Sequence, residues 1–245
     1  MRGQLRLPGV GQAPGQGLLR AGQGARGLPR EAPPDPELIS SKLIRARLYV
    51  ITPDRTPDQV VDLAHAAVRG GADVLQLRHK ALARGDLLEL ALRLRDVTAA
   101  ARALFIVNDH VDIAIVAGAD GVHLGPDDLG VDAARRIAPE GFLIGASASI
   151  PEAARKAVTA GADYIGSGPA FSTPIKKEKS VIGPAGVTAV TAAVDVPVFA
   201  IGGIDETNVA QLTALGLRRV CAIRAIADAA DPESAARRLR AMLDE

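Results

Sequence analysis

The chain has 245 residues, 48% hydrophobic, 2% aromatic and 23% charged, with a formal net charge of +1. Nothing in that balance offers a basic field for nucleic acid or rings for base stacking, and no apolar run reaches the roughly 18 residues of a membrane span. One cysteine, Cys221, excludes an intramolecular disulfide and a cysteine-rich zinc site, and it fits a reducing cytoplasm.

Residues 1–42 are rich in Gly, Pro, Gln and Arg and have no hydrophobic period. They read as a disordered extension that buries nothing, which leaves residues 43–245 as one domain. In that domain, short runs of β-formers alternate with Ala/Leu/Arg-rich stretches at helical spacing. The strand-like runs are Arg47–Thr52, Asp73–Leu77, Leu104–Val107, Gly121–Leu124, Leu143–Ala146, Tyr164–Gly166, Val196–Ile201 and Arg219–Ile223. The stretches between them include Asp86–Ala103 and Pro151–Ala160. Eight strand–helix units with near-continuous apolar strands predict an α/β fold, a single (β/α)8 TIM barrel. Gly-Ala-Asp recurs at Gly71–Asp73, Gly118–Asp120 and Gly161–Asp163, each time between a helix and a strand. The glycine suits a helix C-terminus, so the repeat marks the closed end of the barrel and carries structure.

Chemistry in this fold collects in the loops after each strand. After strand two comes Gln76-Leu77-Arg78-His79-Lys80, where alternation turns Gln76, Arg78 and Lys80 to one side. An amide and two cations there call for an anion. Asn108-Asp109-His110 follows strand three, and Gly125-Pro126-Asp127-Asp128 follows strand four. Asp109 and one of Asp127 and Asp128 can converge on a hard cation such as Mg2+, unless an aspartate caps the next helix. Ser147-Ala148-Ser149 after strand five either meets a ligand or caps the helix at Pro151. The long basic loop from Gly168 to Ser180 reads as a lid. Gly202-Gly203 after strand seven, ahead of a helix near Asp205, and Arg224 after strand eight suit a phosphate. His65, His123 and Cys221 read as structural. Two separate anion sites follow, one suited to a diphosphate with a metal and one to a monophosphate.

Taken together, QLRHK, NDHVDIAIVAGADGVHLGPDDL, IGASAS, GSGPAFST with its following lysines, FAIGGI and VCAIRAI resemble the ordered signature of thiamine-phosphate synthases. The resemblance spans about residues 47–243. It implies a transferase that joins 4-amino-2-methyl-5-hydroxymethylpyrimidine diphosphate to a thiazole phosphate, releasing pyrophosphate by dissociative displacement with Mg2+ and without a protein nucleophile. On that resemblance the run Gln76–Lys80, including Leu77 and His79, binds the pyrimidine diphosphate together with Asn108, Ser147 and Lys176. Gln76 would address the ring, and Arg78, Lys80, Asn108 and Lys176 the diphosphate. Thr173, Pro174, Ile175, Gly203, Ile223 and Arg224 would hold the thiazole phosphate, and Asp109 and Asp128 the metal. The implied partners are two phosphorylated small molecules, with neither nucleic acid nor membrane; a homo-oligomer is left open. The chain departs from the family pattern at His79 (usually Glu), Ile175 (often a second Thr) and Arg224 (often Ser), and either Lys176 or Lys177 can fill the lid position. Related thiazole tautomerases carry a His where Ser149 stands. A tautomerase-like enzyme and a non-catalytic phosphate-binding barrel are the other readings.

Overall fold

The computed structural model describes residues 36–172 and 180–244. Its eight strands close a parallel barrel in chain order: β1 (Leu48–Ile51), β2 (Val74–Leu77), β3 (Leu104–Asn108), β4 (Gly121–Leu124), β5 (Leu143–Ser147), β6 (Tyr164–Ser167), β7 (Val198–Ile201) and β8 (Val220–Ala222). A helix α1 (Pro36–Arg45) precedes the barrel. Around it run α2 (Pro57–Arg69), α3 (Arg84–Ala101), α4 (Val111–Val116), α5 (Val131–Ile137), α6 (Pro151–Thr159), α7 (Gly183–Thr191), α8 (Val209–Thr213), α9 (Arg224–Ala227) and α10 (Pro232–Asp244). The fold is the TIM barrel that the alternation predicts, with strand limits within two residues of the expected ones. Among the described residues, no helix is long and apolar enough to cross a membrane.

Helix α1 begins at Pro36, inside the stretch that composition assigns to the tail. Ile39 and Leu43, one helical turn apart, are buried against the barrel-interior residues Val74, Leu104 and Leu143. The helix therefore plugs the closed end. The domain boundary lies ahead of residue 36 rather than at 42, because these two side chains have a core to enter. Residues 1–35, to which the disorder expectation otherwise applies, lie outside the described residues.

Strand alternation divides the core in two. Leu48, Val50, Leu75, Leu77, Phe105, Val107 and their counterparts face the helices. Tyr49, Ile51, Val74, Leu104, Ile106, Leu143, Tyr164, Phe199 and Cys221 fill the barrel. Large and small residues interlock there. Gly145 lies beside Tyr164 in the β5–β6 register, and a Cβ at Gly145 would stand 2.1 Å from Tyr164 Cζ. Gly145→Ala is therefore expected to cost about 2–4 kcal/mol, because the ring is enclosed and cannot withdraw; denaturant unfolding measures it.

The Gly-Ala-Asp repeat lies at the closed end, as expected, with Gly71, Gly118 and Gly161 at positive φ. Its aspartates do more than end a turn. The Asp73 N–H donates to Leu48 O while Asp73 Oδ2 accepts from the Leu48 N–H. Asp120 does the same with Phe105, and Asp163 with Ile144. Each carboxylate thus clamps one residue of the preceding strand. Arg219 holds the equivalent place before β8, and its guanidinium donates instead to Ile44 O at the end of α1.

Candidate active site

The open rim is built around the end of β2. Gln76 is the inward residue there, 2% exposed, as strand alternation predicts. Its Nε2 donates to Asn108 Oδ1 at 2.6 Å, and its Oε1 accepts from the Tyr49 hydroxyl at 2.7 Å. The strand ends at Leu77, so alternation does not carry on to the cations. Arg78 is held by its backbone. Its N–H donates to Thr52 Oγ1, and its carbonyl accepts from the same hydroxyl. Its guanidinium lies 3.8 Å from Asp54 Oδ1, which also accepts the Lys80 N–H at 2.9 Å. Thr52 and Asp54, at the end of β1, thus brace both cationic residues.

His79 is tied to main chain on both ring nitrogens. Its Nδ1 accepts from the N–H groups of Ala81 and Leu82, and its Nε2 lies 2.9 Å from Arg55 O. The ring closes the loop onto main chain and so shapes the edge of the cavity that it lines. Leu77 is buried and faces the helices.

Asp109 and Asp128 converge. The Asp109 carboxyl is raised above its ordinary range. Partial burial is the largest cause, followed by the neighbouring Asp128 carboxyl; the nearby Lys80 and His110 pull the other way. Asp109 sits at φ 65°, with its N–H bound to His123 O. Asp128 Oδ2 accepts from the Gly125 N–H at 2.7 Å and so closes its own turn. The cap of α5 is Gly130, which makes no side-chain cap bond, so neither aspartate after β4 caps that helix. Two carboxylates pressed together beside a lysine suit a hard cation that draws its other ligands from phosphate and water. Among the described residues, no three His, Cys, Asp or Glu side chains gather as a fuller cage. A cavity of about 200 Å3 opens beside the pair, lined in part by His79, Lys80, Asn108 and Asp109.

Ser147 is exposed at the end of β5, and its Oγ lies 3.0 Å from His123 Nε2. The α6 cap residue is Ile150, without a side-chain cap bond, so Ser147 faces the mouth and does not cap the helix. On the far side, Gly202 and Gly203 take φ 101° and 66°. The following helix starts at Val209, not near Asp205. Asp205 Oδ1 accepts from Thr207, and Asn208 ties back to both Asp205 N–H and Gly203 O. Those local bonds compete with helix formation and fix the glycine turn. Ile223 and Arg224 stand where β8 passes into the four-residue α9. Thr173, Pro174, Ile175 and Lys176, with Lys177, lie outside the described residues.

The family model described as thiamine monophosphate synthase matches residues 48–226. The chain belongs to that family. It is 49% identical over 197 residues to a thiamine-phosphate synthase of Methanoculleus marisnigri, a match covering 79% of this chain and 93% of that protein. It is 42% identical over 194 residues to a thiamine-phosphate synthase of Gloeobacter violaceus, covering 79% of this chain but 56% of the longer relative. A solved thiamine phosphate pyrophosphorylase from Pyrococcus furiosus superposes with a TM-score of 0.77 at 37% identity, covering 84% of this chain and 98% of that one.

Gln76, Asn108, Asp109, Asp128 and Ser147 lie at or just after the C-terminal ends of β2 to β5, while other residues that shape this rim escape sequence reasoning. Thr52 and Asp54 follow β1, and only their position after a strand marks them. The hydroxyls of Tyr49 and Tyr164 lie inside strand-like runs, where the sequence gives no sign of a polar partner. They are the only two tyrosines in the chain, and both turn inward by strand alternation.

Proposed function

We propose that the protein is a thiamine-phosphate synthase that condenses 4-amino-2-methyl-5-hydroxymethylpyrimidine diphosphate with thiazole phosphate, in the presence of Mg2+. The observation that carries this reading is the meeting of Asp109, Asp128 and Lys80 at one rim, next to the Gln76–Asn108 bond. In this reading Gln76 and Ser147 orient the pyrimidine, and Arg78, Lys80 and Asn108 receive the diphosphate. Asp109 and Asp128 hold Mg2+, which when bound supplies positive charge to the leaving diphosphate. Gly203, Ile223 and Arg224 receive the monophosphate across the mouth.

The C–O bond between the pyrimidine methylene and the diphosphate breaks, and its electron pair leaves with pyrophosphate. The electron-rich aminopyrimidine carries the resulting cation until the thiazole nitrogen forms the new C–N bond. What the chain contributes is cations fixed where negative charge develops, and two partners held close together. No protein nucleophile takes part. Cys221 is buried in the barrel, and burial pushes its thiol well up, consistent with a packing role in a cytoplasmic enzyme. Ser149 in place of a histidine argues against the tautomerase reading, since it offers no ring to move a proton at neutral pH.

Purified protein given both substrates and Mg2+ is expected to release pyrophosphate, and to release none when either substrate is withheld. Release with the pyrimidine diphosphate alone would mean a hydrolase, and binding without turnover a non-catalytic barrel. Asp54 gives a finer check. Asp54→Ala removes the acceptor for the Lys80 N–H and the counter-ion of Arg78. It is expected to raise KM for the pyrimidine diphosphate by about tenfold, while Asp54→Asn, which keeps an acceptor, does less.

A further inference from the structure

Six polar side chains from six strands form one hydrogen-bonded chain across the barrel. It runs from Asn108 through Gln76, Tyr49, Tyr164 and His123 to Ser147, at separations of 2.6, 2.7, 2.9, 3.3 and 3.0 Å. Its ends face the mouth, and its middle does not: Tyr49 and Tyr164 are each 1% exposed.

We propose that Tyr49, Tyr164 and His123 are positioning residues that fix the direction of this chain, so that Ser147 meets the substrate as an acceptor and Asn108 as a donor. The inference rests on the synthase reading only for the identity of the substrate.

The direction follows from counting hydrogens. Gln76 donates its amide N–H to Asn108, so its Oε1 faces Tyr49 as an acceptor. A tyrosine has a single hydroxyl hydrogen. That of Tyr49 is given to Gln76, so between the two tyrosines Tyr164 is the donor. Tyr164 has then spent its own hydrogen and can only accept from His123 Nδ1. A neutral His123 therefore carries its hydrogen on Nδ1, and its Nε2 accepts from the Ser147 hydroxyl.

Two consequences reach the mouth. Ser147 has turned its hydrogen inward and presents lone pairs, so it recognises an N–H donor. Asn108 has used its carbonyl on Gln76 and presents its NH2 group, so it recognises an anionic oxygen. The complementary ligand is a heteroaromatic ring with an exocyclic amino group at the β5 side and a phosphoryl group at the β3 side. A ring with a carbonyl in place of the amino group would leave two acceptors facing each other, which is costly once the bound ring displaces water from Ser147.

The test reads the free protein. Full-length chain labelled with 15N in its imidazoles is studied by NMR in mildly alkaline buffer, without substrates. The chain has four histidines, and His123→Asn identifies the signals of His123. The expected state is a neutral ring with hydrogen on Nδ1. Tyr49→Phe keeps the ring and removes the hydroxyl two bonds away along the chain. It releases the hydrogen of Tyr164 to turn toward Nδ1, so the His123 hydrogen is expected to move to Nε2. Tyr164→Phe, which removes the acceptor for Nδ1–H, is expected to give the same tautomer and serves if the first variant does not fold. In the same variants KM for the pyrimidine diphosphate is expected to rise about tenfold, the size of one hydrogen bond reversed, with KM for the thiazole phosphate within about twofold. Hydrogen on Nε2 in the unmodified protein, or an unchanged tautomer in the folded tyrosine variants, overturns the proposal. Neither result bears on pyrophosphate release, so the synthase reading stands or falls separately.

Discussion

Asp109→Asn is expected to lower turnover by on the order of 100-fold or more while raising the melting temperature of the metal-free protein. The two effects share one cause. Asp109 and Asp128 are neighbours in a partly buried place, and the Asp109 carboxyl is raised chiefly by that burial and then by Asp128. Such an arrangement costs stability until a cation lies between the oxygens, and the amide removes that cost together with the ligand charge. Asparagine also tolerates the backbone at φ 65° as well as aspartate does. The sign with pH follows from the raised value. The folded state binds this proton more tightly than the unfolded chain, so the penalty is present above the folded pKa and absent below the unfolded one. The gain in melting temperature from Asn is therefore expected at neutral pH and should vanish in acid. Kinetics across a Mg2+ titration give the first half of the prediction and thermal unfolding the second. An unchanged Mg2+ dependence would remove Asp109 from the metal site.

Arg78→Ala is expected to raise KM for the pyrimidine diphosphate about 10- to 100-fold, the range for losing a charge-assisted bond to an anion. KM for the thiazole phosphate should stay within about twofold. The guanidinium is held beside Asp54 and is only partly exposed, so its loss removes a placed charge rather than a floppy one. Steady-state kinetics with each substrate varied in turn separate the two constants. A rise confined to the thiazole phosphate would exchange the two anion sites across the mouth.

Near-continuous apolar runs alternating with helical stretches give the barrel, because parallel strands buried on both faces leave little else for such runs to be. Period-two alternation places Gln76 inside, where it is 2% exposed. It could not place Arg78 and Lys80, because the strand stops at Leu77 and the loop then follows Thr52 and Asp54, contacts about 26 residues distant in sequence. Helix α1 was masked by the Pro- and Gly-rich residues before it; only the pair Ile39 and Leu43 carried its signal. The convergence of Asp109 with an aspartate after β4 was legible from strand adjacency, but the choice of Asp128 over Asp127 needed the family resemblance. The main-chain bonds of the His79 ring were not legible, because they come from the fold of its own loop and from Arg55 rather than from the motif.

The aspartate clamps at the closed end divide the barrel unequally. β1 with β2, β3 with β4, and β5 with β6 are each stapled by a carboxylate that returns to the strand before it. The last pair, β7 with β8, has Arg219 in that place and is tied instead to α1. The side of the mouth that carries Gln76, Asp109 and Ser147 thus stands on carboxylate-clamped strand pairs, while the turn at Gly203 and the neighbouring Arg224 stand on the pair that lacks such a clamp. A loosened floor would be felt first under Gly203 and Arg224, leaving Gln76, Asp109 and Ser147 in register.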